Sequence, residues 1–257
     1  MKYPVNQIKQ AIAAHQAVHG MFAVLGEPAL VEMMGHAGLD FVIIDTEHSG
    51  NTTEQVANLV RAAETSKISS LVRVTANSPE LILRALDVGA GGVLVPQVNT
   101  AGDAVAAVRA ARYAPQGERG IAGVVRAARY GFIPFADYIA GASRETVVIT
   151  QVEHIDAVNN LDAILAVEGL DGIFIGPTDL SQSMGCTGQF DNPDLRRTIH
   201  QAIEKTRRTD KWAGMFCLDA DDAKYWLRAG AQILTIATDS MVFAGALRKL
   251  RQQIAQT

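Results

Sequence analysis

The sequence predicts an α/β fold: a TIM (β/α)8 barrel with an additional N-terminal helix, built as a single domain over residues 1–257. Three observations predict it. The chain is long enough to bury one large core. Four segments, HAGLDFVIID, DVGAGGVLVP, VEGLDGIFIG and RAGAQILTIA, share one grammar: a helix end, a glycine, a few small or polar residues, then a β-rich run. Those runs are continuously apolar instead of alternating, as parallel strands covered on both faces require.

Taken in order, a helix near Asn6–Ala17 precedes a first strand at Gly20–Leu25. Further strands are expected at Asp40–Asp45, Ser70–Val74, Gly91–Pro96, Val147–Val152, Gly172–Gly176, Ala213–Leu218 and Gln232–Ala237. Eight alternating βα units fill a barrel of about 250 residues, whereas an open doubly wound sheet leaves that regularity unexplained. Gly38, Gly89, Gly169 and Gly230 stand where a helix C-cap needs a left-handed residue. Ser78–Val88 has helical periodicity behind a Ser cap and a Pro.

One connection is out of proportion. Between Arg112 and Val147 lie 34 residues, including YAPQGERGIAGVVRAARYG with Arg119, Arg126 and Arg129. Connections of this length are functional or contain structure of their own. The plainer reading is a solvated loop with a short amphipathic helix at Phe135–Gly141.

The formal net charge of -4 and the absence of any basic, aromatic-interleaved block argue against a nucleic-acid partner. No run reaches membrane-spanning length, and the N-terminus lacks the apolar core of a signal peptide. Cys186 and Cys217 are the two cysteines, so no disulfide framework is expected and a cytoplasmic location is the simplest reading.

In a barrel of this kind chemistry sits at the C-terminal ends of the strands. The second strand ends in FVIIDTEHSG, delivering Asp45, Glu47 and His48; the third carries Arg73. The fifth ends in Gln151, Glu153 and His154, the sixth leads to Asp179, and the eighth to Asp239. Glu153 and Asp179 come from neighbouring strand ends with few cations beside them. They repel unless a cation lies between them, and oxygen ligands with open water positions suit Mg²⁺ or Mn²⁺. The plainer role for Asp179 is to cap the following helix. His48 is placed to act as a base or a further ligand. Arg73 is either paired with a strand-end acid or reserved for a substrate carboxylate or oxyanion, and the second is preferred. No lysine falls inside a strand candidate or at its C-terminal end, which disfavours a Schiff-base mechanism.

The combination IIDTEH, LVRV, LDVGAGGVLVPQV, RYAPQGERG, TQVEH and IFIGPTDLS resembles the HpcH/HpaI family of metal-dependent class II aldolases. The resemblance runs from the first strand to the last helix. It implies a barrel that cleaves 4-hydroxy-2-oxo acids to pyruvate and an aldehyde, with a divalent metal (Mg²⁺, Mn²⁺ or Co²⁺) chelated by the oxo acid. On that resemblance Glu153 and Asp179 are metal ligands, His48 is the base, and Arg73 stabilises the enolate oxygen. Gln151 and the Thr178 backbone contact the pyruvate unit, and Asp87 raises the basicity of the histidine. A homo-oligomer, a hexamer in relatives, is implied as well, with Ile121–Gly131 at a subunit interface and the C-terminal helix packed on a partner. Phe22, Ala237 and the GCTGQF segment depart from the family pattern, at positions expected to sense the aldehyde.

Two rival readings remain beside this one. A lyase of the citrate-lyase β-subunit type would use CoA thioesters and draw on the arginines at 119–129. A non-catalytic barrel would act as a binding protein.

Overall fold

The computed structural model describes residues 1–255. Its eight strands are β1 (Val18–Ala23), β2 (Phe41–Asp45), β3 (Ser69–Arg73), β4 (Gly92–Val95), β5 (Val147–Val152), β6 (Gly172–Ile175), β7 (Trp212–Cys217) and β8 (Ile233–Thr238). They pair in parallel and in chain order, and β8 closes onto β1. The expected barrel is therefore present, with each expected strand displaced by at most two residues.

Within each strand the residues alternate between two cores. One is the barrel lumen, filled by Phe22, Phe41, Ile43, Leu71, Leu94, Val147, Ile149, Phe174 and Ile233. The other lies between strands and helices, where Val42, Ile44, Val72, Val93, Val148, Val152, Ile173 and Ile175 meet the helix faces. Both sets are apolar because both faces are covered, so the periodicity of two is hidden in the residue types. Inside the lumen glycines oppose bulky neighbours: a Cβ on Gly92 would lie 2.3 Å from the Val147 carbonyl, and one on Gly214 2.5 Å from the Phe174 ring. Large and small residues thus interlock across the barrel, to the density that interiors demand.

The N-terminal helix α1 (Gln7–Ala13) closes the bottom of the barrel. Ile8 and Ile12, one turn apart, enter the lumen cluster. Asn6 caps the helix by accepting from Ile8 N–H, donates its own N–H to Glu145 Oε2 at 3.0 Å, and donates its side-chain amide to Gly91 O at 2.9 Å. The helix is shorter than Asn6–Ala17 because His15 takes a left-handed φ of 58° and Val18 is already paired with Ile233.

The remaining helices are α2 (Pro28–His36), α3 (Thr53–Thr65), α4 (Pro79–Asp87), α5 (Ala101–Ala111), α6 (Phe135–Glu145), α7 (Ile155–Asn159), α8 (Leu161–Leu165), α9 (Pro177–Ser183), α10 (Pro193–Arg207), α11 (Ala220–Ala229) and α12 (Asp239–Ala255). Side-chain caps define several starts: Thr52 with Gln55 and Thr100 with Asp103 form reciprocal capping boxes. The four glycines expected at helix ends all have positive φ, from 84° to 105°. No helix among the described residues is long and apolar enough to cross a membrane.

The long connection after α5 is ordered. A 3-10 segment at Arg126–Gly131 precedes α6, which contains the expected Phe135–Gly141 helix and extends it to Glu145. Arg119, Arg126 and Arg129 are each paired with an acid. Arg119 donates to Asp87 Oδ1 at 2.7 Å under the Tyr113 ring, and Arg126 and Arg129 both grip Glu64. Burial would raise the Glu64 carboxyl, but hydrogen bonds from these two guanidiniums hold it below the usual carboxylate range. Asp87 and Glu64 end helices that run back from the strand tops, so this segment sits at the face opposite the strand C-termini.

Candidate active site

The C-terminal ends of β2, β3 and β5 carry polar residues on the lumen side of the alternation. Asp45 follows Phe41 and Ile43, Arg73 follows Leu71, and Gln151 and Glu153 follow Val147 and Ile149. The lumen is thus apolar below and charged at its top.

Asp45 and Arg73 are direct register partners on β2 and β3. Arg73 donates from Nε to Asp45 Oδ1 at 2.9 Å and from Nη2 to Oδ2 at 2.8 Å, a bidentate fork on a fully buried carboxylate. Of the two alternatives for Arg73, pairing with a strand-end acid is present: two of its three nitrogens serve Asp45. The third, Nη1, lies 3.3 Å from Glu47 Oε2.

The turn after β2 is built on Asp45 as well. Glu47 N–H donates to Asp45 Oδ1 at 3.0 Å, and Asn51 Nδ2 donates to the Asp45 carbonyl at 2.8 Å. This turn lifts Glu47 and His48 above the lumen. Glu47 Oε2 is buried without a hydrogen-bond partner, because the nearby Arg73 nitrogen is out of line. Burial pushes the Glu47 carboxyl up, with Arg73 opposing and the Asp45 and Asp179 charges adding. His48 is exposed, with Nε2 3.8 Å from Glu47 Oε2.

Glu153 is held from two sides: Oε1 accepts from Gln97 N–H at 2.7 Å, and Oε2 accepts from the Gln151 side-chain amide. Gln97 adopts a left-handed φ of 55°, a costly conformation for a residue with a Cβ. Gly176 leaves room for the arrangement, since a Cβ there would stand 3.3 Å from both Glu153 Cβ and Oε2. Burial raises the Glu153 carboxyl to about 7; the Gln97 bond resists, and the charges of Glu47 and Asp179 push further up. Gln151 Oε1 is buried and unpartnered.

Asp179 and Thr178 are exposed on the first turn of α9. Asp179 shares with Glu47, His48, Gln97, Asn99, Glu153 and His154 the lining of a cavity of about 400 Å³. His48, Glu153 and Asp179 are therefore brought to one cavity, with Gln151 hydrogen-bonded to Glu153 and Arg73 ion-paired with Glu47. No group of three His, Cys, Asp or Glu able to hold a metal occurs among the described residues. The donors that do converge are carboxylate oxygens, two of them mutually repelling, and they fit a hard divalent cation that keeps open positions.

Other expected residues fall elsewhere. Asp87, at the C-terminal end of α4, gives its carboxylate to Arg119 and is not among the residues lining this cavity. Within one chain it has no contact with His48. Asp239 is buried and accepts from Val24 N–H and Leu25 N–H, tying the end of β1 to the start of α12. His154 caps α7, accepting from Asp156 N–H. Phe22 is 3% exposed in the lumen and so cannot meet an aldehyde at the rim. Ala237 occupies a left-handed φ of 58° at a shift in the β1–β8 register, which is why a glycine suits the position. Gln97 was missed in sequence; nothing in VPQVN marks its backbone as left-handed.

The model of the HpcH/HpaI aldolase/citrate lyase family matches residues 19–246. The 5-keto-4-deoxy-D-glucarate aldolase of Klebsiella pneumoniae is 35% identical over 245 residues, which is 95% of both chains. The crystal structure of an HpcH/HpaI aldolase/citrate lyase family protein from Burkholderia cenocepacia superimposes with a TM-score of 0.92 at 33% identity, covering 98% of this chain and 100% of its own. The citrate synthase SbnG superimposes with a TM-score of 0.85 at 31% identity, over 96% of each chain. This chain belongs to the HpcH/HpaI aldolase/citrate lyase family and is an aldolase-type lyase.

Proposed function

We propose that the protein is a divalent-metal-dependent pyruvate aldolase, reversibly cleaving 4-hydroxy-2-oxo acids to pyruvate and an aldehyde. The observation that carries this reading is the Glu153–Asp179 pair at one cavity, with the Glu153 carboxyl raised to about 7 by burial and by its acidic neighbours. Glu153 and Asp179 would hold the ion, which when bound draws electron density from the 2-oxo group and lowers the cost of an enolate. The name of the Klebsiella relative fits a sugar-acid substrate of this class.

The residues divide the remaining work. In cleavage the C3–C4 bond breaks, its electron pair becomes the enolate, and the C4 hydroxyl loses its proton as the aldehyde carbonyl forms. His48 receives that proton and returns it to C3, giving pyruvate. Arg73, anchored on Asp45 through two nitrogens, presents a fixed positive charge to the enolate oxygen. Gln151 orients Glu153 and faces the pyruvate unit. The Thr178 N–H, in the first turn of α9 and without an intrahelical partner, would receive the pyruvate carboxylate.

We also propose a homo-oligomer, a hexamer by resemblance. Support comes from exposed apolar side chains on α12 (Val242, Phe243, Leu247, Leu250, Ile254) and around the long connection (Ile121, Val124, Phe132, Phe135). Asp87 would act on His48 only across such an interface. The buried free thiols Cys186 and Cys217 fit a cytoplasmic location. The CoA-thioester reading loses the arginines it drew on, which are paired at the opposite face.

The test is a panel of 4-hydroxy-2-oxo acids, with pyruvate release measured before chelation, after it, and with metal restored. Metal-dependent pyruvate release is expected. No cleavage of any panel member, with activity on a CoA thioester instead, would reassign the reaction.

A further inference from the structure

Phe22 is not part of the polar constellation, yet it touches it. The Arg73 guanidinium carbon stands 4.8 Å from the centroid of the Phe22 ring. The ring is itself held edge-on by Phe174, with centroids 6.0 Å apart at 71°, and by Phe216, at 5.8 Å and 61°. Three aromatic residues from β1, β6 and β7 thus form the floor beneath one cation.

Asp45 and Phe22 constrain different motions. A bidentate carboxylate fixes two nitrogens of the fork, but the guanidinium plane can still tilt about the line joining them. A ring under the carbon opposes that tilt, and cation–π attraction strengthens with desolvation. Arg73 has only 13% of its side chain exposed, so the contact is made away from bulk water. Nη1, the nitrogen not used by Asp45, is the one whose position the tilt controls.

We infer that Phe22 is a positioning residue for Arg73, setting the plane of the guanidinium so that Nη1 meets the developing enolate oxygen. The inference rests on the proposed role of Arg73 and moves Phe22 from aldehyde selection to the pyruvate half-reaction. Its effect therefore appears without any aldehyde present.

The experiment is deuterium exchange at the methyl group of pyruvate, followed by proton NMR in the metal-loaded enzyme. It uses wild type, Phe22→Leu, Phe22→Trp, Arg73→Gln and the double variant Phe22→Leu/Arg73→Gln. Phe22→Leu is expected to slow kcat for exchange about tenfold, the loss of a partly desolvated cation–π contact. Phe22→Trp, which keeps an aromatic face, should stay within about threefold of wild type. With Arg73→Gln already present, Phe22→Leu should cost less than about threefold more, because its partner is gone. Phe22→Met replaces Phe22→Leu if the latter fails to fold. Equal losses in both Arg73 backgrounds, or altered aldehyde preference with unchanged exchange, would overturn the inference. A wild-type enzyme that exchanges nothing while binding metal and pyruvate would instead refute the functional reading on which it rests.

Discussion

Arg73 and Asp45 face each other across the β2–β3 register and are joined by two hydrogen bonds, so the cation at the mouth is aimed by its own sheet. Removing Asp45 leaves a mostly buried guanidinium without its main partner. Asp45→Ala is expected to cost about 3 kcal/mol of stability, measured by urea denaturation, as breaking buried ion pairs does. Exchange at pyruvate C3 should fall with it, because Arg73 loses its anchor.

The acidic pair makes stability depend on pH. Without metal, Glu153 titrates near 7 instead of its ordinary 4.5, because burial and the Glu47 and Asp179 charges disfavour its ionised form. The folded state then binds more protons than the unfolded state between those values, so stability falls as pH rises from 4.5 through 7. Urea midpoints across that window should decline in the metal-free protein, decline less in Glu153→Gln, and recover on adding Mn²⁺. Equal slopes in wild type and Glu153→Gln would remove this role for the residue.

Gly176 is predicted to matter to the metal more than to the fold. Its φ of -99° suits alanine, but the added Cβ would press on Glu153. Gly176→Ala should weaken Mn²⁺ binding roughly tenfold, the usual scale for disturbing a ligand's support, with a melting temperature near wild type.

None of the eight strands contains a lysine. Incubation with pyruvate and borohydride is therefore expected to add no mass and cause no inactivation. A reduced pyruvate adduct on any lysine would contradict a metal-enolate route.

Much of this architecture is legible in the sequence. Glycines such as Gly38 and Gly230 announce helix ends because few other residues accept positive φ. Glu153 and Asp179 stand out because acids at strand ends lie where barrel loops meet. What escaped detection depends on distant partners. Which strand-end acid pairs with Arg73 is decided by register between two strands, and the Glu64 grip on Arg126 and Arg129 joins residues more than sixty positions apart. Phe22 reads as a rim residue until the lumen places it under a guanidinium. Asp87 reads as a helix end, and within one chain it is one.

The most direct test of the central claim is methyl deuterium exchange of pyruvate in the absence of any aldehyde. The wild-type protein with Mg²⁺ or Mn²⁺ should exchange, exhaustive chelation should abolish exchange, and Glu153→Ala should not recover it when metal is returned. His48→Ala should exchange about 10²–10⁴-fold more slowly. Exchange that survives both chelation and the loss of Glu153 would contradict the account.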